Sequence, residues 1–264
     1  MHPLVIFGIT GRMGQSLVRA LAGAPGLKLS AAVASAASPW LGKDAAQSGT
    51  PTGVPIGADA AAALQGAAVA VDFSLPQSVA AHALACAAAG VPLLVGATGL
   101  DPATQEALRT AAGRIPLLIA PNTSVGVNVM ERLVAIAARS LGEAYDADIV
   151  EAHHRMKRDA PSGTAIALGE AVAAARGRTL ADMAVFDRHG DVGPRRDQSI
   201  GFAVVRAGDI VGEHTVIFAA DGERLEITHR AADRAIFARG ALRAAEWLVG
   251  RPPGLYGMQD ALSL

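Results

Sequence analysis

Short apolar runs and helical patterns alternate along the first 120 residues. "PLVIFG" (3–8) is a compact apolar run with β-branched residues; beyond Gly8, Gly11 and Gly14, "QSLVRALAG" (15–23) carries Leu17, Val18 and Leu21 at helical spacing. Strand, tight turn and helix are predicted in that order. Apolar runs in "LKLSAAVA", "AAVAVDFS", "VPLLVGAT" and "IPLLIAPN" predict four more buried strands, with helices over 77–89 and 102–113. Such alternation implies a parallel sheet covered by helices on both faces, a doubly wound α/β domain.

After "APNTSVGVN" (120–128) the pattern changes. A helical stretch over 127–141 leads to "DADIVEAHHR", read as extended with its His pair near the strand end. "SGTAIALGEAVAAARGR" then predicts a helix with Gly163 near its start. In "IGFAVVRAGDIVGEHTVIFAADGERLEITHRA" (200–231) mixed alternation with turn signals at "AGD" and "ADGE" reads as an antiparallel run. A final helix in "RAIFARGALRAAEWLVG" stops before Pro252 and Pro253. The expected organisation is a first domain over 1–122 and a smaller α+β domain, with a mostly antiparallel sheet, from 123 onward. Chain crossings are expected near 120–126 and 230–235.

A length of 264 residues suits two modest domains, and 51% hydrophobic content supplies a core for each. A net charge of −1 argues against a nucleic-acid partner held by a general basic surface, so any cationic site must be local. The single Cys86, inside "HALACAAAG", excludes an intramolecular disulfide, suits a reducing compartment and reads as core packing. No signal peptide is read at the start, and polar residues, Gly and Pro interrupt the longer apolar stretches, so no membrane span is predicted. A cytoplasmic location is expected.

Against that background "EAHHRMKRDAPSGTA" (151–165) stands out: His153, His154, Arg155, Lys157 and Arg158 fall within six residues. Charged runs are usually solvated loops. Here the run passes through Pro161, Ser162, Gly163 and Thr164 into a long helix, whose first-turn amides and hydroxyls would form an anion site beside the cations. His153 and Lys157, four apart, can supply one group titrating near neutrality and one cationic donor. A small dianion fits this combination. A metal site is disfavoured, because adjacent residues on a strand point to opposite faces and nothing nearby completes a ligand shell. Ser162 lacks the G-x-S-x-G elbow of a nucleophile.

Gly8, Gly11 and Gly14 sit where the first strand meets the first helix, the place where a dinucleotide pyrophosphate approaches a helix N-terminus. The spacing departs from G-x-G-x-x-G, since Thr10 takes the second glycine's slot, so the turn alone is weak support. Ala34 and Ser35 stand where an acid for the ribose or an Arg for a 2′-phosphate is usual, and Lys43 is too far along to assign. The choice between NADH and NADPH is therefore open.

Taken together, "GITGRMGQ", "VDFS", "GATG", "APNTSVGVN", "EAHHRMKRDAPSGTA" and "GERLEITHRAADRAIFARGALRAAEWL" resemble the 4-hydroxy-tetrahydrodipicolinate (dihydrodipicolinate) reductases over nearly the whole chain. The resemblance implies a Rossmann-like first domain joined by 235–264, with substrate binding and oligomerisation over 123–234 and a homotetramer built through the second sheet. It also implies reduction of a cyclic dicarboxylate, in hydroxylated or dehydrated form, by NADH or NADPH in lysine and diaminopimelate biosynthesis. In that reading His153 is the catalytic histidine and Lys157 the proton donor, while His154, Gly163 and Thr164 hold the substrate carboxylates. The cofactor would lie along Gly8, Ile9, Thr10, Gly11, Arg12 and Met13, then Gly96, Ala97 and Thr98, then Ala120, Pro121, Asn122 and Thr123. Missing discriminators at Ala34 and Ser35 imply weak or dual cofactor preference. Two other readings share the first half: another dehydrogenase of anionic amino-acid precursors, such as an aspartate or homoserine dehydrogenase, and a non-catalytic nucleotide sensor. Neither has a use for "HHRMKRDAPSGTA".

Overall fold

The computed structural model describes all 264 residues, which divide into two units, 1–125 with 235–264 and 126–234. The chain begins with β1 (His2–Phe7), α1 (Arg12–Ala20), β2 (Leu27–Val33), β3 (Ile56–Gly57) and α2 (Ala60–Ala63). It continues through β4 (Val69–Asp72), α3 (Pro76–Ala89), β5 (Leu93–Val95), α4 (Pro102–Ala112) and β6 (Pro116–Ile119). The second unit carries α5 (Val125–Leu141) from its second residue onward, then β7 (Asp146–His153), α6 (Gly163–Ala175), α7 (Leu180–Met183), β8 (Ala184–Val185), β9 (Ile200–Arg206), β10 (Gly212–Ala220) and β11 (Glu223–Ala231). The chain then returns to the first unit with α8 (Ala235–Leu248), β12 (Gly254–Tyr256) and α9 (Met258–Leu262). No helix is long and apolar enough to cross a membrane.

The first sheet is parallel, with order β12-β6-β5-β4-β1-β2-β3. Strand side chains alternate between its faces. Leu4, Ile6, Val69, Val71, Leu94 and Leu118 pack with α1 and α8 on one face; Val5, Phe7, Ala70, Leu93, Val95 and Leu117 pack with α3 and α4 on the other. Both layers are needed because these strands are apolar on both faces. Local chemistry sets the helix ends: Pro76 and Pro102 start α3 and α4, Asp101 accepts the Thr104 amide at 2.7 Å, and Gly90 ends α3 at φ +68°. From β1 the chain steps outward to β2 and β3, then crosses back to β4 on β1's other side. That reversal opens a crevice at the carboxyl ends of β1 and β4, where doubly wound folds bind ligands.

The second sheet is mixed, with order β11-β10-β7-β9-β8. Its longest ladder, β10–β11, and the β10–β7 ladder are antiparallel, and α6 and part of α5 cover one face with Met130, Val134, Leu168 and Val172. The expected "ADGE" turn does join β10 to β11. The "AGD" turn does not fold β9 onto β10. Instead β9 lies parallel to β7, from Ala147↔Ile200 to His153↔Arg206. Both edges of β10 are already paired, and the crossover through α6 supplies the connection that a parallel partner requires.

The first unit keeps hold of the chain to Val125, three residues past the boundary expected at 122/123. Thr123 donates its hydroxyl to the Phe237 carbonyl at 2.7 Å, and a Cβ at Gly240 would stand 1.8 Å from the Thr123 carbonyl oxygen. This interlock ties 123–125 to α8.

Candidate active site

In the first unit the β1–α1 turn is built by close backbone approach. Gly8 lies at φ +76°, and a Cβ there would meet the Phe73 carbonyl oxygen and the Ser74 nitrogen at 2.7 Å. Gly14 is buried, and a Cβ on it would come within 2.5 Å of the Gly8 and Ile9 carbonyls. Gly11 is the N-cap of α1 and brings no side chain to satisfy the first-turn amides, which leaves them to face an incoming anion. Beside the turn is a cleft of about 340 Å³, lined by Gly8, Thr10 and Gly11, by Val33 to Ala36 after β2, and by Phe73 to Leu75, Ser78 and His82 around α3. A glycine cradle opening on such a cleft at the sheet's crossover point fits a dinucleotide.

Of the residues expected to hold the cofactor, Gly8, Thr10 and Gly11 line this cleft; Ile9 is fully buried in the core, and Arg12 and Met13 form the first turn of α1. Gly96, Ala97 and Thr98 follow β5, and Ala120, Pro121, Asn122 and Thr123 follow β6, at the same carboxyl edge but outside the cleft lining. Ala97, Ala120 and Thr123 are buried. A Cβ at Gly96 would run into the Phe73 ring at 2.2 Å, which gives that glycine a packing reason of its own. His82 was not anticipated. Its Nδ1 lies 2.8 Å from the fully buried Asp72 carboxylate, and its ring stacks on Phe7 with centroids 4.2 Å apart.

In the second unit the site gathers where β7 ends and α6 begins. Ser162 is the N-cap of α6 and accepts the Ala165 amide through Oγ at 3.1 Å, which uses one first-turn donor. Gly163 is exposed, and a Cβ on it would stand in open space, so packing within the chain does not demand glycine there. His154 lies just past the strand, with Nε2 3.1 Å from an Arg234 guanidinium nitrogen. Lys157 is held in the following turn, donating its backbone amide to the His154 carbonyl at 3.1 Å and its ammonium to Asp159 at 2.8 Å. Arg155 and Arg158 are exposed.

Behind this rim is a polar network that the sequence did not disclose. Glu151 is 1% exposed, yet both carboxylate oxygens are fully engaged. Oε1 accepts from the Ser162 amide at 2.9 Å and Arg206 at 2.7 Å; Oε2 accepts from Arg206 at 2.8 Å and faces His153 Nδ1 at 2.6 Å. Burial opposes ionisation of Glu151, but Arg206, His153 and the Ser162 amide outweigh it and hold the carboxyl below its usual range. His153, 8% exposed, is pushed below the usual imidazole range, chiefly by burial and against the pull of Glu151, with Lys157 and Arg206 adding to the push. His214 packs edge-on to the His153 ring, lies 2.9 Å from Ser162 Oγ, and is driven down to about 4 mainly by burial. No group of three or more His, Cys, Asp or Glu is placed to hold a metal ion.

The family model for the N-terminus of dihydrodipicolinate reductase matches residues 2–123, and the model for its C-terminus matches 126–262. The chain belongs to the dihydrodipicolinate reductase family. Over 266 residues it is 52% identical to the 4-hydroxy-tetrahydrodipicolinate reductase of Anaeromyxobacter dehalogenans, covering 100% of this chain and 98% of that protein. The reductase of the same name from Thiobacillus denitrificans is 50% identical over 262 residues, covering 99% and 98%. A dipicolinate-bound dihydrodipicolinate reductase from Paenisporosarcina sp. TG-14 superposes with a TM-score of 0.79, covering 98% of this chain and 99% of that one; at 23% identity it speaks for the fold. Within this reductase family scaffold, the structure brings His153, Lys157 and the α6 N-terminus with Gly163 and Thr164 to one end of the second sheet, with His154 beside them. Arg206 and His214 join them from β9 and β10. Each had only one sequence signal: a basic or imidazole residue inside a strand pattern.

Proposed function

We infer that this chain is an NAD(P)H-dependent oxidoreductase that reduces 4-hydroxy-tetrahydrodipicolinate in lysine and diaminopimelate biosynthesis. The observation that carries the reading is the closure of "HHRMKRDAPSGTA" on the N-terminus of α6, in a chain about half identical from end to end to reductases of that name. The glycine cradle and its cleft fit a dinucleotide, with Gly8, Thr10 and Gly11 against its phosphates. When bound, a reduced nicotinamide supplies hydride to the conjugated C=C–C=N system of the substrate ring.

The chain's own residues bind, orient and protonate. The α6 N-terminus at Gly163 and Thr164 and the His154 imidazole hold the two carboxylates; open space over Gly163 lets an anion approach the backbone. Negative charge builds on the ring as hydride arrives. Lys157 faces that charge as a cationic donor and delivers the balancing proton, and His153 shares its stabilisation. Neither an acid nor an Arg stands at the end of β2, where Ala34 and Ser35 line the cleft, so the enzyme uses NADH and NADPH with similar Michaelis constants. Cytoplasmic location and a homotetramer formed through the second sheet complete the proposal.

The test is reduced-nicotinamide oxidation, with substrate made in situ by a synthase from pyruvate and aspartate semialdehyde. Synthase-dependent oxidation with both cofactors is expected. None with either, in folded protein that binds one of them, refutes the reductase; a cofactor preference of about a hundredfold, ~2.7 kcal/mol, refutes dual use alone.

A further inference from the structure

His153 is held from behind by groups far apart in the chain. On its own strand, Glu151 presents Oε2 to Nδ1 at 2.6 Å; from β9, Arg206 closes on both oxygens of the same carboxylate and also donates to the Asp159 carbonyl at 2.6 Å. His214 on β10 stacks edge-on at 5.1 Å between ring centroids. Lys157, paired with Asp159, completes the charged surroundings. On the Nε2 side stands Gly212, where even a Cβ would come within 3.0 Å.

We propose that Glu151 and Arg206 are positioning residues for His153: Glu151 fixes the imidazole proton on Nδ1 so that Nε2 is the nitrogen presented to substrate, and Arg206 sets how strongly that carboxylate favours the imidazolium. The proposal rests on the reading that His153 acts on the substrate. A saturated carboxylate has no lone pair left for another task, and its only imidazole partner is His153. Ionised Glu151 requires a proton on the facing nitrogen, which leaves the lone pair of the neutral ring on Nε2, the nitrogen turned away from Glu151. In the charged ring both nitrogens donate, and the carboxylate stabilises the added charge. Arg206 opposes this by neutralising Glu151. The two residues therefore pull the His153 titration in opposite directions.

This opposition gives the test. The limb of the kcat/KM pH profile that disappears in His153→Gln is identified first. In Glu151→Gln its midpoint moves down by about one pH unit, because the carboxylate's charge is lost; in Arg206→Gln it moves up by a similar amount. The Michaelis constant for the reduced cofactor stays put in both variants. Loss of packing alone would not shift the two midpoints in opposite senses. Midpoints that stay still, or move together, overturn the proposal while leaving the role of His153 intact. A profile unchanged in His153→Gln overturns the catalytic reading instead. Long-range 1H–15N NMR of the wild-type protein, labelled at histidine, gives an independent answer that needs no variant to fold. A neutral His153 protonated on Nδ1 supports the proposal, and one protonated on Nε2 overturns it whatever the kinetics show.

Discussion

Lys157 and His153, the two residues proposed to act on the substrate, differ in their surroundings. The lysine lies half-buried in a turn, its ammonium paired with the exposed carboxylate of Asp159. Removal of one donor aimed at a transition-state charge costs about 3 to 4 kcal/mol, so Lys157→Ala should lower kcat by about 10² to 10³. Cofactor affinity, read by fluorescence titration, should change less than about threefold. Intact turnover at saturation with collapsed cofactor binding would place Lys157 in the wrong role. His214 behaves differently because it is buried at 4% exposure, with its titration driven down to about 4 from 6.5. Between those values the unfolded chain binds a proton that the folded chain refuses, so stability is complete above about 6.5 and is lost as pH falls toward 4. The full effect is on the order of 3 kcal/mol. His153 and His229, both lowered chiefly by burial, add in the same sense. Urea unfolding at neutral and mildly acidic pH should therefore show acid destabilisation that is clearly shallower in His214→Gln. Equal pH slopes in the two proteins would contradict the buried, neutral assignment.

At the scale of elements, the turn between β1 and α1 depends on contacts made by missing side chains. A methyl at Gly14 meets two backbone carbonyls at 2.5 Å, and backbone cannot rotate away as a side-chain tip can. Gly14→Ala should cost about 3 kcal/mol in urea unfolding and weaken cofactor binding; a loss under about 1 kcal/mol would show that the turn adapts. Gly14 was legible as part of a glycine turn, but its reason is helix-to-strand packing. Five of the seven parallel strands were legible because apolar runs buried on both faces need no partner to be recognised; the short edge strands β3 and β12 carry no such run and were missed. The pairing of β9 was not, because alternation reports which faces are buried and says nothing about direction or neighbour. That one ambiguity hid Arg206, whose guanidinium reaches Glu151 only because β9 lies beside β7. Likewise, His153, Lys157, Gly163 and Thr164 share one contiguous stretch and could be read together, whereas His214 joins Ser162 only through the β10–β7 ladder.

For the whole molecule, a net charge of −1 and a dianionic substrate appear mismatched until charge is taken locally. Arg155 and Arg158 are exposed, His154 and Lys157 half-buried, and Arg234 reaches His154 from beyond β11, so near the α6 N-terminus these cations and Arg206 outnumber the two acids that pair with them, Asp159 on Lys157 and the buried Glu151 on Arg206. Exposed charges act over about one Debye length, about 10 Å at 0.1 M salt, so an approaching dianion responds to this cluster more than to the distant acids. Association should be assisted electrostatically despite the unfavourable total. At saturating cofactor, kcat/KM for substrate should then fall several-fold as salt rises from about 0.02 M to 0.5 M, with kcat nearly unchanged. Arg155→Gln combined with Arg158→Gln should flatten that dependence, since both side chains are exposed and neither has been given a role in holding substrate. If kcat/KM instead rose with salt, the net charge would govern encounter and the cluster would act only after binding. If it fell equally steeply in the double variant, the attraction would arise from the groups proposed to meet the substrate themselves, the carboxylate holders His154 and the helix N-terminus and the proton donor Lys157.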